Sequence, residues 1–320
     1  MAGTLMVSLD FELFWGMTGT VTLENYKKNI LNGRQAIPRV LELFDRYGIH
    51  ATWATVGYQF AESREELLSY LPGPELRPSY RDRTSDTYLL MEQLGENEAE
   101  APWFYAGSLI RQIAAHPNQE IGSHTFSHYY CREPGQTCEQ FAADMKAART
   151  IAQEKGFALS SVVFPRDMST EAHVAVLREL GFTAYRDEAD DWIHNRIGIR
   201  VLRRALTLLD VYLPLTGQTG PQPCVQDGIV RTVGSRQFRY YFRPLAFLEW
   251  AKVRRIKKQM LYAAKHNRSY HLWWHPHNLG DHPEVLLAQL EEIFSYYQFL
   301  NEKYGMQSLN MGELARQMLH

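Results

Sequence analysis

The sequence predicts an α/β fold built on a parallel sheet, open or closed into a barrel. Two observations carry that prediction. Short apolar runs alternate with helical patterns for most of the length, which is the signature of repeated strand–helix units. Charged and imidazole side chains then gather where those apolar runs stop. Leu5 to Leu9 reads as a buried strand, and Gly33 to Tyr47 as a helix with Pro38 in its first half and Gly48 as its stop. His50 to Val56, rich in Thr, Val and Trp, is the second strand. Glu120 to Ser123, Ser161 to Phe164, Thr183 to Tyr185 and Tyr270 to Trp274 follow as short strands. Helical patterns cover Gln140 to Lys155, Glu171 to Leu180, Phe242 to His266 and Pro283 to Tyr304. Two stretches interrupt the repeat and read as insertions on a single domain spanning 1–320. One lies at about 60–115, where residues 72–103 carry four of the 14 prolines, and the other at 186–240.

Composition bounds the function. At 320 residues, 45% hydrophobic and 22% charged, the chain can bury a full core as one α/β domain. A net charge of −2 argues against a global attraction to nucleic acid, and no nucleic-acid partner is expected. Cys131, Cys138 and Cys224 lack C-x-x-C spacing and read as reduced thiols. The first residues carry no positive n-region, and no stretch approaches the roughly 18 apolar residues of a membrane span. A soluble, cytoplasmic protein is the expectation.

Chemistry concentrates at strand ends, where the loops of parallel α/β folds converge. Asp10 and Glu12 are two residues apart, so on an extended segment they share a face. Two such carboxylates repel unless a cation or divided roles separate them: Glu12 as metal ligand and Asp10 as base, or both as a polar strand end capping backbone. His124 and His128, spaced i, i+4, fall on one face of a helical turn and can reach one ion. Two imidazoles and one carboxylate make a three-ligand site with an open position, the arrangement of catalytic zinc or a comparable divalent ion. No H-E-x-x-H is present, so a helix-borne glutamate base is excluded.

Arg166 in Phe164-Pro165-Arg166-Asp167 either holds a catalytic carboxylate by a bidentate pair or forms a surface ion pair. His275, after the aromatic run Leu272-Trp273-Trp274, is placed to protonate a leaving amine, with Asp190 or Asp191 to tune it. Trp192, Trp273 and Trp274 suit stacking on a sugar ring or, equally, a core. The run Lys252 to Lys258 carries five positive charges, which form a solvated face or attract a phosphate or an anionic lipid surface.

At these residues the chain resembles the polysaccharide deacetylases of the NodB-homology type, carbohydrate esterase family 4, with motifs matched in order from Ser8 to the His275 region. The leading Asp and the metal-binding acid map onto Asp10 and Glu12, and the H-S/T-x-x-H motif onto His124 to His128. The arginine motif maps onto Phe164-Pro165-Arg166, the Asp–Trp motif onto Asp191-Trp192, and the terminal leucine–histidine motif onto Leu272 to His275. Ser8 to Gly16 also matches the S-L-D-F-E-x-x-W-G start of a bacterial subgroup found with surface-polysaccharide and O-antigen biosynthesis. Three departures stand out. The metal-binding acid is one residue beyond the usual adjacent pair, Asp167 stands where that subgroup tends to have Asn, and the oxyanion-binding tyrosine after the proline has no match.

The resemblance implies a distorted (β/α) barrel and metal-dependent removal of an N-acetyl or similar acyl group from an amino sugar. The implied catalytic residues are Asp10 (base), His275 (acid) and Arg166. One divalent metal, zinc first with Co, Ni, Mn or Fe as substitutes, is implied on Glu12, His124 and His128. Asp191, Trp192, Trp274 and His277 are the expected substrate contacts, with His277 the alternative general acid. The expected partner is a nucleotide-linked, lipid-linked or oligosaccharide amino sugar, and the basic run adds a peripheral contact with an anionic membrane surface. Two other readings remain open: a hydrolase of a non-sugar amide or imide on the same fold, and an inactive sugar-binding barrel.

Overall fold

The computed structural model describes residues 2–188, 193, 197–217 and 221–320. Ten strands form one sheet: β1 (Thr4–Phe11), β2 (Ala51–Thr55), β3 (Gln119–Ser123), β4 (Ser161–Val163), β5 (Ala184–Asp187), β6 (Cys224–Gln226), β7 (Ile229–Val233), β8 (Arg236–Gln237), β9 (Ser269–Trp274) and β10 (Gln307–Ser308). Their order is β6-β7-β5-β4-β3-β2-β1-β9-β8, with β10 beside β1. Every pairing is parallel except β6 with β7. The α/β class and the parallel sheet predicted from sequence are therefore present. Within 186–240, β7 pairs with β5 and β8 with β9, and only Gly234 and Ser235 separate β7 from β8. The chain thus crosses from one side of the sheet to the other, and the Ser235 N–H donates to the His271 carbonyl at 2.9 Å.

Strand alternation sorts the side chains. On β1, Leu5, Val7, Leu9 and Phe11 join the main core with Trp53, Tyr270, Leu272 and Trp274. Met6, on the opposite face, packs with Ala54, Val163, Ala184 and Val230 under Leu309, Met311 and Leu314. The helix Met311–Leu319 closes that end: its first N–H groups donate to Thr52 Oγ1 and Glu120 Oε2. Towards the carboxyl ends of the strands the face that carries Met6 turns polar, with Ser8 and Asp10 on β1, Arg186 on β5 and His271 on β9, all buried. That layer positions the site.

The first helix runs Leu23–Tyr47, ten residues longer than the Gly33 start expected from sequence. Thr22 caps it, accepting from the Asn25 N–H, and Gly48 ends it at φ 61°. Gly33 lies in its interior because the backbone of His277 comes so close that an added Cβ would meet His277 Cα at 2.7 Å. It is a close-packing glycine, not a breaker. The helix Cys138–Glu154 begins with a full capping box between Thr137 and Gln140, and Pro283–Tyr304 has the bounds expected. The helix carrying the basic run is Glu249–Lys265, preceded by a 3-10 segment Arg243–Leu248 where continuous helix was expected. The three cysteines are free, and no helix of the described residues is long and apolar enough to cross a membrane.

Candidate metal centre and active-site cavity

Asp10 is the last inward-facing residue of β1, and Glu12 follows just beyond it. Both are buried and both line one cavity of about 670 Å³. Gly16 makes room for Glu12: a Cβ there would lie 2.1–2.4 Å from the Glu12 carboxylate. Trp15, fully buried, anchors this turn by donating from Nε1 to the Phe104 carbonyl at 2.8 Å. The spacing Glu12-x-x-Trp15-Gly16 is thus a pedestal for one carboxylate. Burial pushes Glu12 up, but His275, His124 and His128 outweigh it and hold the acid well below its ordinary value.

His124 and His128 sit in the turn after β3. It is not the helical turn expected from their spacing, because Thr125 and His128 adopt φ of 64° and 58°. Both imidazoles nonetheless point at the same oxygen: Glu12 Oε2 lies 3.3 Å from His124 Nε2 and 3.1 Å from His128 Nε2. His124 donates from Nδ1 to the Val163 carbonyl at 2.8 Å, which fixes its tautomer and leaves the Nε2 lone pair free. The three donor atoms lie within 4.8 Å of one another. Such a convergence of two imidazole nitrogens and a carboxylate fits a divalent ion.

What holds the strained turn is Asp144, buried on the helix Cys138–Glu154 and unmarked in the sequence. It accepts from the Phe126 N–H at 2.7 Å, from the Ser127 N–H at 3.1 Å, and from the Ser127 hydroxyl. Burial pushes its carboxyl up to about 6 against those bonds.

The arginine that clamps Asp10 is Arg186, not Arg166. Arg186 donates to both Asp10 oxygens at 2.8 and 2.7 Å, to Ser8 Oγ at 2.8 Å and to Asp167 Oδ1 at 2.7 Å, and lies over the Trp273 ring. Burial raises Asp10, yet Arg186, with His275 and His124, brings it below its ordinary value. Arg166 also lines the cavity, but it pairs with Glu133 at 2.8 Å and lies over Tyr130. Arg166 and Asp167 adopt φ of 60° and 54°, and this local strain aims Asp167 back at Arg186. Burial lifts Asp167 to about 6, with Arg186 pulling the other way.

His275 Nε2 is 3.7 Å from Asp10 Oδ2 and 3.5 Å from Glu12 Oε1. Its ring stacks on His277 at 5.0 Å, and burial pushes His277 down to about 3. Glu12, His275 and His277 form a second donor group within 4.8 Å, which the sequence reading missed. Trp274, expected against substrate, is 0% exposed and packs on Phe44 and Phe238. Alternation along β9 gives the cavity wall to Trp273 instead. Asp190, Asp191 and Trp192 lie outside the described residues. Of the basic run, Lys252 is buried against Glu249, Arg255 pairs with buried Asp210, and Lys257 pairs with Glu292. Three of its five charges are spent within the molecule.

The polysaccharide deacetylase family model matches residues 25–185. That span contains His124, His128 and Arg166; Asp10 and Glu12 precede it and His275 follows it. No curated protein sequence matches the chain. Among solved structures it is similar to a candidate polysaccharide deacetylase from Mycobacterium smegmatis, with a TM-score of 0.62 at 14% identity over 99% of this chain and 91% of that one. A candidate polysaccharide deacetylase from Pseudomonas aeruginosa PAO1 gives 0.58 at 13% identity, over 100% and 91%. A GH57-type branching enzyme from Pyrococcus horikoshii gives 0.57 at 9%, over 99% and 70%. Likeness at these identities concerns the fold alone.

Proposed function

The chain belongs to the polysaccharide deacetylase family, and from that premise we propose that it hydrolyses the N-acetyl group, or a similar small acyl amide, of an amino sugar with the help of one divalent metal. One observation carries this reading: Glu12, His124 and His128 converge beside an arginine-clamped Asp10 and beside His275, at the carboxyl ends of the strands. The three donors would hold the ion, and their mixed nitrogen and oxygen character favours zinc. When bound, such an ion supplies Lewis-acid polarisation of the acyl carbonyl and lowers the pKa of water towards ~7.

Asp10 is the base. Arg186 occupies one lone pair on each of its oxygens, and a carboxylate oxygen has a second with which to take a proton from water. The same clamp keeps the group ionised and fixes its direction. As the water oxygen bonds to the acyl carbon and the C–N bond breaks, His275 gives a proton to the departing nitrogen. The products are a carboxylate and a free amine. Ser8, His271 and Arg186 form the floor that orients Asp10, with Ser8 Oγ 2.8 Å from His271 Nε2. The segment Ser8 to Gly16 supports a role in surface-polysaccharide assembly.

Asp10→Asn tests the assignment. It should keep the metal, measured by elemental analysis, while acetate release from N-acetylated sugars falls by at least about a hundredfold. Retained turnover would remove Asp10 from the mechanism.

A further inference from the structure

We propose that the sugar substrate carries a phosphate or diphosphate group, and that Arg239, with Arg203 and Arg204, forms the subsite that receives it. This rests on the amino-sugar reading above and adds the substrate class. The cavity that begins at Glu12, His124 and His128 runs to Arg239 and Thr207. Those two residues also line a second cavity of about 440 Å³, together with Arg203, Arg204, Tyr240 and Phe242. Among the described residues no Asp or Glu lines this second space.

Charge bookkeeping separates Arg239 from its neighbours. In the first cavity Asp10 and Asp167 share Arg186, Arg166 has Glu133, and Arg236 has Asp210, which also takes Arg255. Among the described residues no carboxylate lies within 4.0 Å of Arg239, although the residue is half-buried. A half-buried arginine without a counter-ion is costly, and an arriving anion relieves that cost.

The backbone that carries Arg239 is held on both sides. The Phe238 N–H donates to the Trp273 carbonyl at 2.7 Å, and buried Lys252 donates to the Arg239 carbonyl at 3.2 Å. The backbone there is therefore fixed, and Gln237 and Arg239 both line the first cavity. Three guanidinium forks in one cavity match the several oxygens of a phosphate better than a single carboxylate. Tyr240 and Phe242 then offer an apolar wall to whatever the phosphate esterifies, a nucleoside or a prenyl chain. A neutral oligosaccharide would leave the arginines unpaired.

The test is equilibrium binding to the metal-loaded full chain, by calorimetry, of N-acetylglucosamine 1-phosphate against N-acetylglucosamine. The phosphate should tighten binding about tenfold or more, Arg239→Ala should abolish that gain, and Arg239→Lys should keep part of it. Two further arms, UDP-N-acetylglucosamine and a short-chain prenyl-diphosphate sugar in detergent micelles, decide the source, and tight Arg239-dependent binding of either supports the subsite. Equal affinity for the phosphorylated and neutral sugars, or a phosphate gain that survives in Arg239→Ala, overturns it. Acetate release read in parallel keeps the two ideas apart. No acetate from any sugar defeats the deacetylase reading while an Arg239-dependent phosphate gain leaves the subsite standing. Acetate from neutral sugars without such a gain does the reverse.

Discussion

Replacing Arg186 with Met removes the only cation that touches both Asp10 and Asp167 among the described residues. Four hydrogen bonds go with it, three of them to carboxylates, all at 2.7–2.8 Å. The guanidinium is 1% exposed, so water does not replace those bonds. Each charge-assisted bond is worth about 1.5–3 kcal/mol, but the full sum is not lost because one acid can take up a proton. Asp167, already at about 6, is the one that neutralises. Breaking a buried pair in this way costs about 3–5 kcal/mol, and that is the expected loss of stability in urea titrations. Activity should respond as well. With Arg186 in place the Asp10 carboxyl lies below its ordinary value and is ionised through the neutral range. Without it burial is unopposed by the clamp, so the acid limb of acetate release against pH moves upward. Arg166→Ala is the contrast: its pair with Glu133 is 45% exposed on the arginine side, so stability should change by no more than about 1 kcal/mol and the acid limb should stay put. An Arg186→Met protein within about 1 kcal/mol of its parent, with the acid limb unmoved, would refute the clamp.

Three other substitutions probe the framework. Gly16→Ala drives a methyl group into the Glu12 carboxylate and should lower metal content measured by elemental analysis; full occupancy at unchanged affinity counts against the pedestal. Asp144→Asn replaces an acceptor of two N–H groups and a hydroxyl by a side chain with one acceptor oxygen, so stability should fall by about 1–3 kcal/mol and metal affinity by about 10–100-fold. An unchanged metal titration would mean that the 124–128 turn holds its shape without Asp144. Burial holds His271 at about 3, so the folded protein leaves it neutral while the unfolded chain protonates it near 6.5. Its contribution is therefore full above about pH 6.5 and is lost as pH falls towards 3, at roughly 1.4 kcal/mol per pH unit. His271→Gln should flatten the loss of urea stability between pH 7.5 and 4.5 by about 2–3 kcal/mol, and parallel pH profiles would exclude His271 as the source.

The resemblance and the strand ends made much of the site legible. Asp10 and Glu12 share a face because the segment is extended, and the sequence already says so. The His124–His128 spacing expected two imidazoles to meet on a helical turn; they do meet, at Glu12, but through two residues at positive φ braced by Asp144. The Gly33 helix start failed because a glycine that looks like a breaker from sequence was there for close packing against His277.

By itself the sequence determined the alternation of strands and helices, since a two-residue and a 3.6-residue period are local properties. It also determined which residue types stand at the strand ends. Only the tertiary structure decided their partners. Asp10 takes Arg186, which lies 176 residues away on β5, over Arg166, because the pairing depends on which strand is brought opposite and in which register. Trp273 faces the cavity and Trp274 the core because the absolute phase of β9 is set by its ladder with β1. Of the basic run, Lys252 and Arg255 are buried against Glu249 and Asp210 and Lys257 pairs with Glu292 at the surface, while Arg239, unremarkable in sequence, was left facing the cavity without a carboxylate within 4.0 Å among the described residues. Periodicity reads along the chain, whereas charge pairing and burial are settled across it.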